Sequence, residues 1–217
     1  MVKVSVIITC YNLEKYISRA INSCLNQTLH DSSYEIIVVD DCSSDNSWDL
    51  ITSFGPMIES IRLEKNMGVA FASNIGIKAA KGEYIVRVDG DDFINKLFLG
   101  TMSEILKWND EIGFVYCDQI VVNENHERKQ SINTLEKLLD HGAGVMFRKR
   151  YLEAIGLYDE SLRNREDYDL ILKYIKNFDG YHLKLPYYRY FKRGGSLSGK
   201  VEERKIIKEA IDSKQKR

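Results

Sequence analysis

The sequence predicts an α/β protein with a mostly parallel central sheet flanked by helices. Three observations predict it. The first half alternates apolar, β-branched runs with segments of helical period; polar clusters close several of the runs; no internal repeat or linker divides the chain. At 217 residues and 44% hydrophobic, the chain is long enough for one good core, so a single compact unit is expected.

The elements follow in order. "VSVIIT" (residues 4–9) is a short β-branched run suited to a strand covered on both faces. Ile17, Ala20, Ile21, Cys24 and Leu25 then recur at helical spacing. "EIIVVDD" (residues 35–41) is a second buried strand, and the Ser and Asp of "SSDNS" offer caps for a helix carrying Trp48, Ile51 and Phe54. "SIRLEKN" reads as a third strand. After Gly68 comes a helix whose inner face, Ala72, Ile75, Gly76 and Ala79, is rich in small residues and permits close approach to the sheet. "EYIVRVD" is the fourth strand.

Beyond it, Leu99, Met102, Ile105 and Leu106 mark a helix, and "GFVYCDQIVV" (residues 113–122) a further strand. Residues 123–131, "NENHERKQS", are polar and without period, which reads as a surface loop or lid. "GAGVMF" reads as a strand, followed by a short helix at residues 151–155 and another after Glu166 carrying Tyr168, Ile171, Leu172 and Ile175. "YHLKLPYYRYF" is extended, and a polar helix starts near Val201.

Composition removes several classes of function. Lys plus Arg (31) nearly balances Asp plus Glu (32), so no global field argues for nucleic acid. Cys10, Cys24, Cys42 and Cys117 have neither Cys-x-x-Cys spacing nor disulfide-scaffold density, and they read as reduced thiols of a cytoplasmic protein. No apolar stretch is long enough to span a bilayer, and the N-terminus lacks signal-peptide features, so membrane contact is expected to be peripheral. His30, His126, His141 and His182 are scattered, without metal-ligand spacing.

The polar clusters carry the functional signal. Ligands of an open α/β sheet bind outside the carboxyl ends of its strands. Thr9-Cys10-Tyr11-Asn12 follows the first strand, Asp40-Asp41 the second, and Asp89-Gly90-Asp91-Asp92 the fourth. Three carboxylates within four residues repel one another unless a cation neutralises them. Oxygen-only ligands suit Mg²⁺ or Mn²⁺, which commonly join a few carboxylates to the phosphates of a ligand. Tyr11 is placed to stack on a flat base and Asp41 to accept its N–H. Each cluster also has a plainer reading: turn and cap chemistry at residues 40–45, a solvated turn at 89–92, a packed aromatic at Tyr11.

With these residues in view, the chain resembles the family-2 glycosyltransferases of the GT-A fold, the fold of nucleotide-diphospho-sugar transferases. The likeness rests on "TCYN", "VVDDCSSDNS", "NMGVAFASNIGIKAAKGEYI", "VDGDD" and "NREDYDLILKY" in that order, and extends to "RGGSLSG". It implies one GT-A domain over residues 1–200, with a nucleotide-binding part at about 1–120 and an acceptor-side part at about 121–200. A helical tail occupies 201–217.

The resemblance also implies roles. Asp41 would bind the base, with Thr9, Tyr11 and Asn12 lining the nucleotide pocket. Asp89 would face the ribose, and Asp91 would coordinate Mn²⁺ or Mg²⁺ at the diphosphate. Asp92 and Glu166 are further candidates. Asp167 would be the catalytic base of an inverting hexosyltransferase, although acids are also favoured at a helix start by the macrodipole alone. Gly142 to Phe147 would line the acceptor cleft. The implied donor is a UDP-sugar and the acceptor a glycan or a lipid-linked molecule, in polysaccharide biosynthesis at the inner face of a membrane.

Departures from the family pattern matter as well. Thr9 replaces Pro, Cys42 replaces Gly, and Ser73 stands where an Arg is common. Arg193 lies closest to the place of a late His and is a candidate for phosphate contact. In the tail, Ile206, Ile207, Ala210 and Ile211 share a side, which suits packing on the domain, docking on an anionic membrane, or a homodimer. Two other functions compete: a nucleotidyltransferase, whose Gly-rich basic N-terminal loop is missing here, and a non-catalytic sugar-nucleotide or glycan-binding module.

Overall fold

The computed structural model describes residues 2–194 and 201–215. β1 (Val4–Cys10) is buried along its whole length, because it lies between β2 (Tyr34–Asp40) and β4 (Tyr84–Asp89) and both of its faces are covered. Val4, Val6 and Ile8 point to one side, where they meet Ile17, Ala20, Ile21 and Cys24 of α1 (Ile17–Leu25). Ile7 points to the other, toward Ala72 and Ile77 of α3 (Val69–Ala79). This alternation along a single strand is what separates two cores, one on each face of the sheet.

α3 approaches closely because its inner face is small. A β-carbon on Gly76 would stand 2.4 Å from Cγ2 of Ile7, so only glycine permits this spacing. Two residues earlier, Asn74 donates to the carbonyl of Tyr158 (3.0 Å) and accepts from its N–H (3.1 Å). The Asn-x-Gly motif therefore ties the first half of the chain to the loop at Tyr158.

The remaining elements are α2 (Ser47–Thr52), β3 (Glu59–Arg62), β5 (Phe93–Ile94), α4 (Phe98–Trp108), β6 (Ile112–Asn123), β7 (Arg128–Ser131), α5 (Leu135–His141), β8 (Val145–Arg148), α6 (Lys149–Ala154), α7 (Glu166–Ile175), β9 (Asp179–Lys192) and α8 (Val201–Gln215). The strand order is β3-β2-β1-β4-β8-β6-β9-β5, with β7 paired to β6. The half from β3 to β4 is parallel, as the alternating pattern predicts. β8 then joins β4 and β6 antiparallel, while β6 and β9 are parallel, so the second half of the sheet is mixed.

Several elements differ from the expectation. The third strand ends at Arg62, before "LEKN", and the strand of "GAGVMF" begins at Val145. Residues 123–131 are not loop throughout: Arg128–Ser131 pair with Gln119–Val122 as a hairpin, which turns through residues 124–127. Exposed Arg, Lys and Gln side chains hid that strand from a reading based on apolar alternation.

α8 packs on α7. Ile211 is buried, the hydroxyl of Tyr168 donates to Asp212 at 2.6 Å, and Nε of Arg165 donates to the carbonyl of Arg204 at 3.2 Å. Ile206 and Ala210, expected beside Ile211, are exposed instead.

Candidate active site

Strand register brings the polar clusters to one edge. Thr9 pairs with Asp89 across β1 and β4, and Cys10 pairs with Asp40 across β1 and β2. The N–H of Gly90 donates to the carbonyl of Thr9 (3.0 Å), and that of Asp41 to the carbonyl of Cys10 (2.8 Å). The turns after the first, second and fourth strands are therefore stitched side by side.

Just past β2, Asp41 is 4% exposed and accepts from the N–H groups of Met67 (2.6 Å) and Gly68 (2.8 Å) at the head of α3. Burial pushes its pKa up, against these two bonds and the nearby Arg163. A carboxylate has about four acceptor positions, so the two bonds leave capacity for a ligand N–H. Asp40 turns inward, accepting from the N–H of Ser43 (3.1 Å) with Nε of Arg62 at 3.4 Å. Asn12 fastens the first turn to the second: its side chain accepts from the N–H of Ser44 (2.8 Å), and its own N–H donates to Oγ of Ser43 (2.9 Å). Tyr11 is 48% exposed, free to offer a ring face. Cys42, in the family's glycine position, keeps a left-handed φ of 62°.

The acids of "DGDD" differ in their surroundings. Asp92 is buried, accepting from the hydroxyl of Tyr188 and the N–H of Phe191, both at 2.7 Å. Burial, then Asp91 and Asp89, push its pKa well up. These two bonds anchor the turn to β9. Asp91 accepts from Nε of Arg193 at 2.7 Å, and burial followed by repulsion from Asp89 raises its pKa. Asp89 has Oδ1 3.2 Å from Nε of Arg87.

α7 delivers Glu166 and Asp167 to the same place. Oε1 of Glu166 lies 3.2 Å from Nη1 of Arg87, and Oδ2 of Asp167 lies 2.7 Å from Nη2. One guanidinium on β4 thus touches three acids from two elements. Oδ1 of Asp167 lies against Gly142 at the end of α5. Burial pushes the Asp167 carboxyl up to about 8, opposed by Arg87 and reinforced by Glu166 and Asp89.

Among the predicted residues, direct contacts or strand register join Thr9, Asp89, Asp91, Asp92, Glu166, Asp167 and Arg193, while Asn12 and Asp41 continue the same edge. Arg87, Tyr188 and Arg163 were missed. Arg87 did leave a signal: a lone charge inside "YIVRVD", two residues before Asp89 and so on the same side of the strand. The family Arg position is Ser73, which is buried and bonds Val69 within its helix. Ser73 and Arg87 line one small void. Gly195 to Gly199 of the late "RGGSLSG" segment lie outside the described residues.

Metal-ligand capacity is modest. Among the described residues, no group of three or more His, Cys, Asp or Glu side chains is arranged to hold an ion. Asp92 accepts one bond on each oxygen, and Asp91 keeps Oδ1 beside its pair with Arg193. That donor set suits an ion that takes one or two carboxylates and otherwise phosphate oxygens and water.

Comparison with known proteins gives concordant matches. The family described as Glycosyl transferase family 2 matches residues 5–175. An uncharacterised glycosyltransferase of Haemophilus influenzae is 29% identical over 84% of this chain and 66% of its own length. A poly(ribitol-phosphate) β-N-acetylglucosaminyltransferase, TarS of Staphylococcus aureus, is 38% identical over 44% of this chain and 17% of its own. The crystal structure of TarS residues 1–349 with UDP-GlcNAc superposes with a TM-score of 0.82 at 26% identity, covering 96% of this chain and 65% of that one. The chain thus spans only part of the length of these relatives.

Proposed function

The chain belongs to glycosyltransferase family 2, and on that premise we propose that it moves a sugar, with inversion, from a UDP-sugar to a hydroxyl of a glycan or lipid-linked acceptor. The observation that carries this reading is the gathering of Thr9, Asp41 and Asp89-Gly90-Asp91 along one sheet edge, with Asp167 joined to Asp89 through Arg87. UDP is favoured because TarS was solved with UDP and with UDP-GlcNAc.

In this reading Tyr11 stacks on the uracil, Asp41 accepts its N–H, and Asp89 meets the ribose. Asp167 accepts the proton of the acceptor hydroxyl as that oxygen attacks the anomeric carbon from the face opposite UDP. The bond to UDP breaks, and its electron pair leaves on the β-phosphate oxygen. Asp91 would hold Mn²⁺ or Mg²⁺ carried with the diphosphate, which supplies charge neutralisation for the leaving group. Arg193, already at Asp91, adds a second cation there. Among the described residues no helix is long and apolar enough to cross a membrane. We place the enzyme in the cytoplasm, against the inner membrane face when the acceptor is lipid-linked; four free cysteines support a reducing compartment.

A thermal-shift panel of sugar nucleotides with and without Mn²⁺ tests the donor, because a ligand that binds only the folded chain raises its melting temperature. UDP-sugars should give the largest shift, enlarged by Mn²⁺. Loss of that shift in Asp91→Asn would support its role. A larger shift with GDP- or dTDP-sugars would overturn the UDP assignment.

A further inference from the structure

We propose that Arg87 is a positioning residue for the transfer step: its single guanidinium fixes Asp167 relative to Asp89 and leaves one oxygen of the base facing the acceptor side. The inference rests on the reading of Asp167 as base, and it concerns a residue outside the recognised motifs.

The geometry is specific. Nη1 and Nη2 of Arg87 donate to Glu166 (3.2 Å) and Asp167 (2.7 Å), and Nε forms an ion pair with Oδ1 of Asp89 at 3.2 Å. Only a planar, branched cation with several fixed N–H directions does this from one side chain. Arg87, Glu166 and Asp167 are largely shielded from water, where such contacts gain strength and an unpaired charge is costly, while Asp89 is 32% exposed. The ring of Tyr158 lies 5.4 Å from the guanidinium carbon and closes another side. Oδ2 of Asp167 is committed to Arg87, while Oδ1 lies beside the bare Cα of Gly142, at the start of the predicted acceptor-side segment. Serine at position 73 leaves a void beside Arg87 where the family commonly has an Arg on α3.

Electrostatics agree with the geometry. The groups that act on Asp167 are Arg87 and Asp89 from β4, Glu166 on its own helix and Tyr158 from the preceding loop. Burial raises the affinity of Asp167 for its proton, and Glu166 and Asp89 add to it; Arg87 is the opposing cation. A weaker or absent cation at position 87 should leave the base protonated over more of the working pH range.

The test uses the full chain carrying ¹³C at aspartate carboxyls, with Asp167→Asn identifying the Asp167 signal. It needs no substrate. Asp167 in the parent should titrate far above an ordinary carboxylate, at about 8. Arg87→Lys keeps a cation and hence the fold, yet cannot reach three acids; its Asp167 midpoint should rise by at least about half a pH unit, roughly a threefold change in proton affinity. Arg87→Met should raise it further. An unchanged midpoint in Arg87→Lys overturns the proposal.

UDP release from UDP-GlcNAc, measured against pH, supplies the catalytic readout. The acidic limb should move with the titration, so that Arg87→Lys recovers activity at higher pH. A rate lowered equally at every pH would make Arg87 merely structural and overturn the proposal. Parental turnover by Asp167→Asn would instead sink the base assignment, whatever the titration shows.

Discussion

Gly142 stands directly against Asp167: a β-carbon built on Gly142 would lie 2.4 Å from Cγ and 2.6 Å from Oδ1 of that carboxylate. Gly142 also has a left-handed φ of 56° as it ends α5. Both facts forbid a side chain here. Gly142→Ala should cost about 1–2 kcal/mol of stability from the backbone alone. By displacing Asp167 it should also lower transfer on the order of a hundredfold, while UDP binding persists. Calorimetry of UDP binding beside UDP-release kinetics checks this; parental kinetics would show that Asp167 has room to move.

Cys42 offers a prediction of the opposite sign. It holds φ at 62° where the family commonly has glycine, and its thiol makes only a long contact of 3.5 Å to the carbonyl of Glu64. Cys42→Gly should therefore stabilise the chain, by about 0.5–1 kcal/mol after the entropic cost of glycine. A higher urea midpoint at unchanged slope is the expected result. A lower midpoint would mean that the sulfur contributes more than the strain removes.

Tyr188 secures Asp92 from β9, with its hydroxyl 2.7 Å from Oδ2. Tyr188→Phe leaves that buried oxygen without its donor and should cost about 1–3 kcal/mol. Urea unfolding measures the loss. No change would show that Phe191 alone satisfies the carboxyl.

Asp167 should make stability depend on pH in a direction unusual for a carboxylate. Its proton affinity in the folded chain corresponds to about 8, against an ordinary value of 3.8. Between these values the folded form binds more protons than the unfolded one, so this group's stabilising contribution is complete below the lower value and is lost as pH rises toward 8. The slope for one proton is about 1.4 kcal/mol per pH unit. Urea midpoints should therefore decline from pH 5 to pH 8, and more shallowly in Asp167→Asn. Identical declines in parent and variant would assign the dependence to other groups.

Much of this site is legible in the amino-acid sequence because three strands end where their apolar runs end. β1, β2 and β4 are self-announcing: β-branched, short and terminated by polar clusters rich in Asn or Asp. The second half of the sheet is harder to read. β7 is polar because it borders the sheet, and the antiparallel entry of β8 between β4 and β6 is a long-range choice that no local period records. Arg87 is visible but mute, since its meaning depends on Glu166 and Asp167 arriving from about eighty residues later. Asp92 is a further candidate in the sequence, and the fold adds what no local pattern records: Tyr188 and Phe191 donate to its oxygens from β9.

A crystal structure of the full chain with UDP and Mn²⁺ tests the shared edge most directly. The expected result is uracil between Tyr11 and Asp41, the ribose at Asp89, and the ion joining Asp91 to the diphosphate. UDP bound away from the ends of β1, β2 and β4, or an ion touching none of residues 89–92, would contradict it.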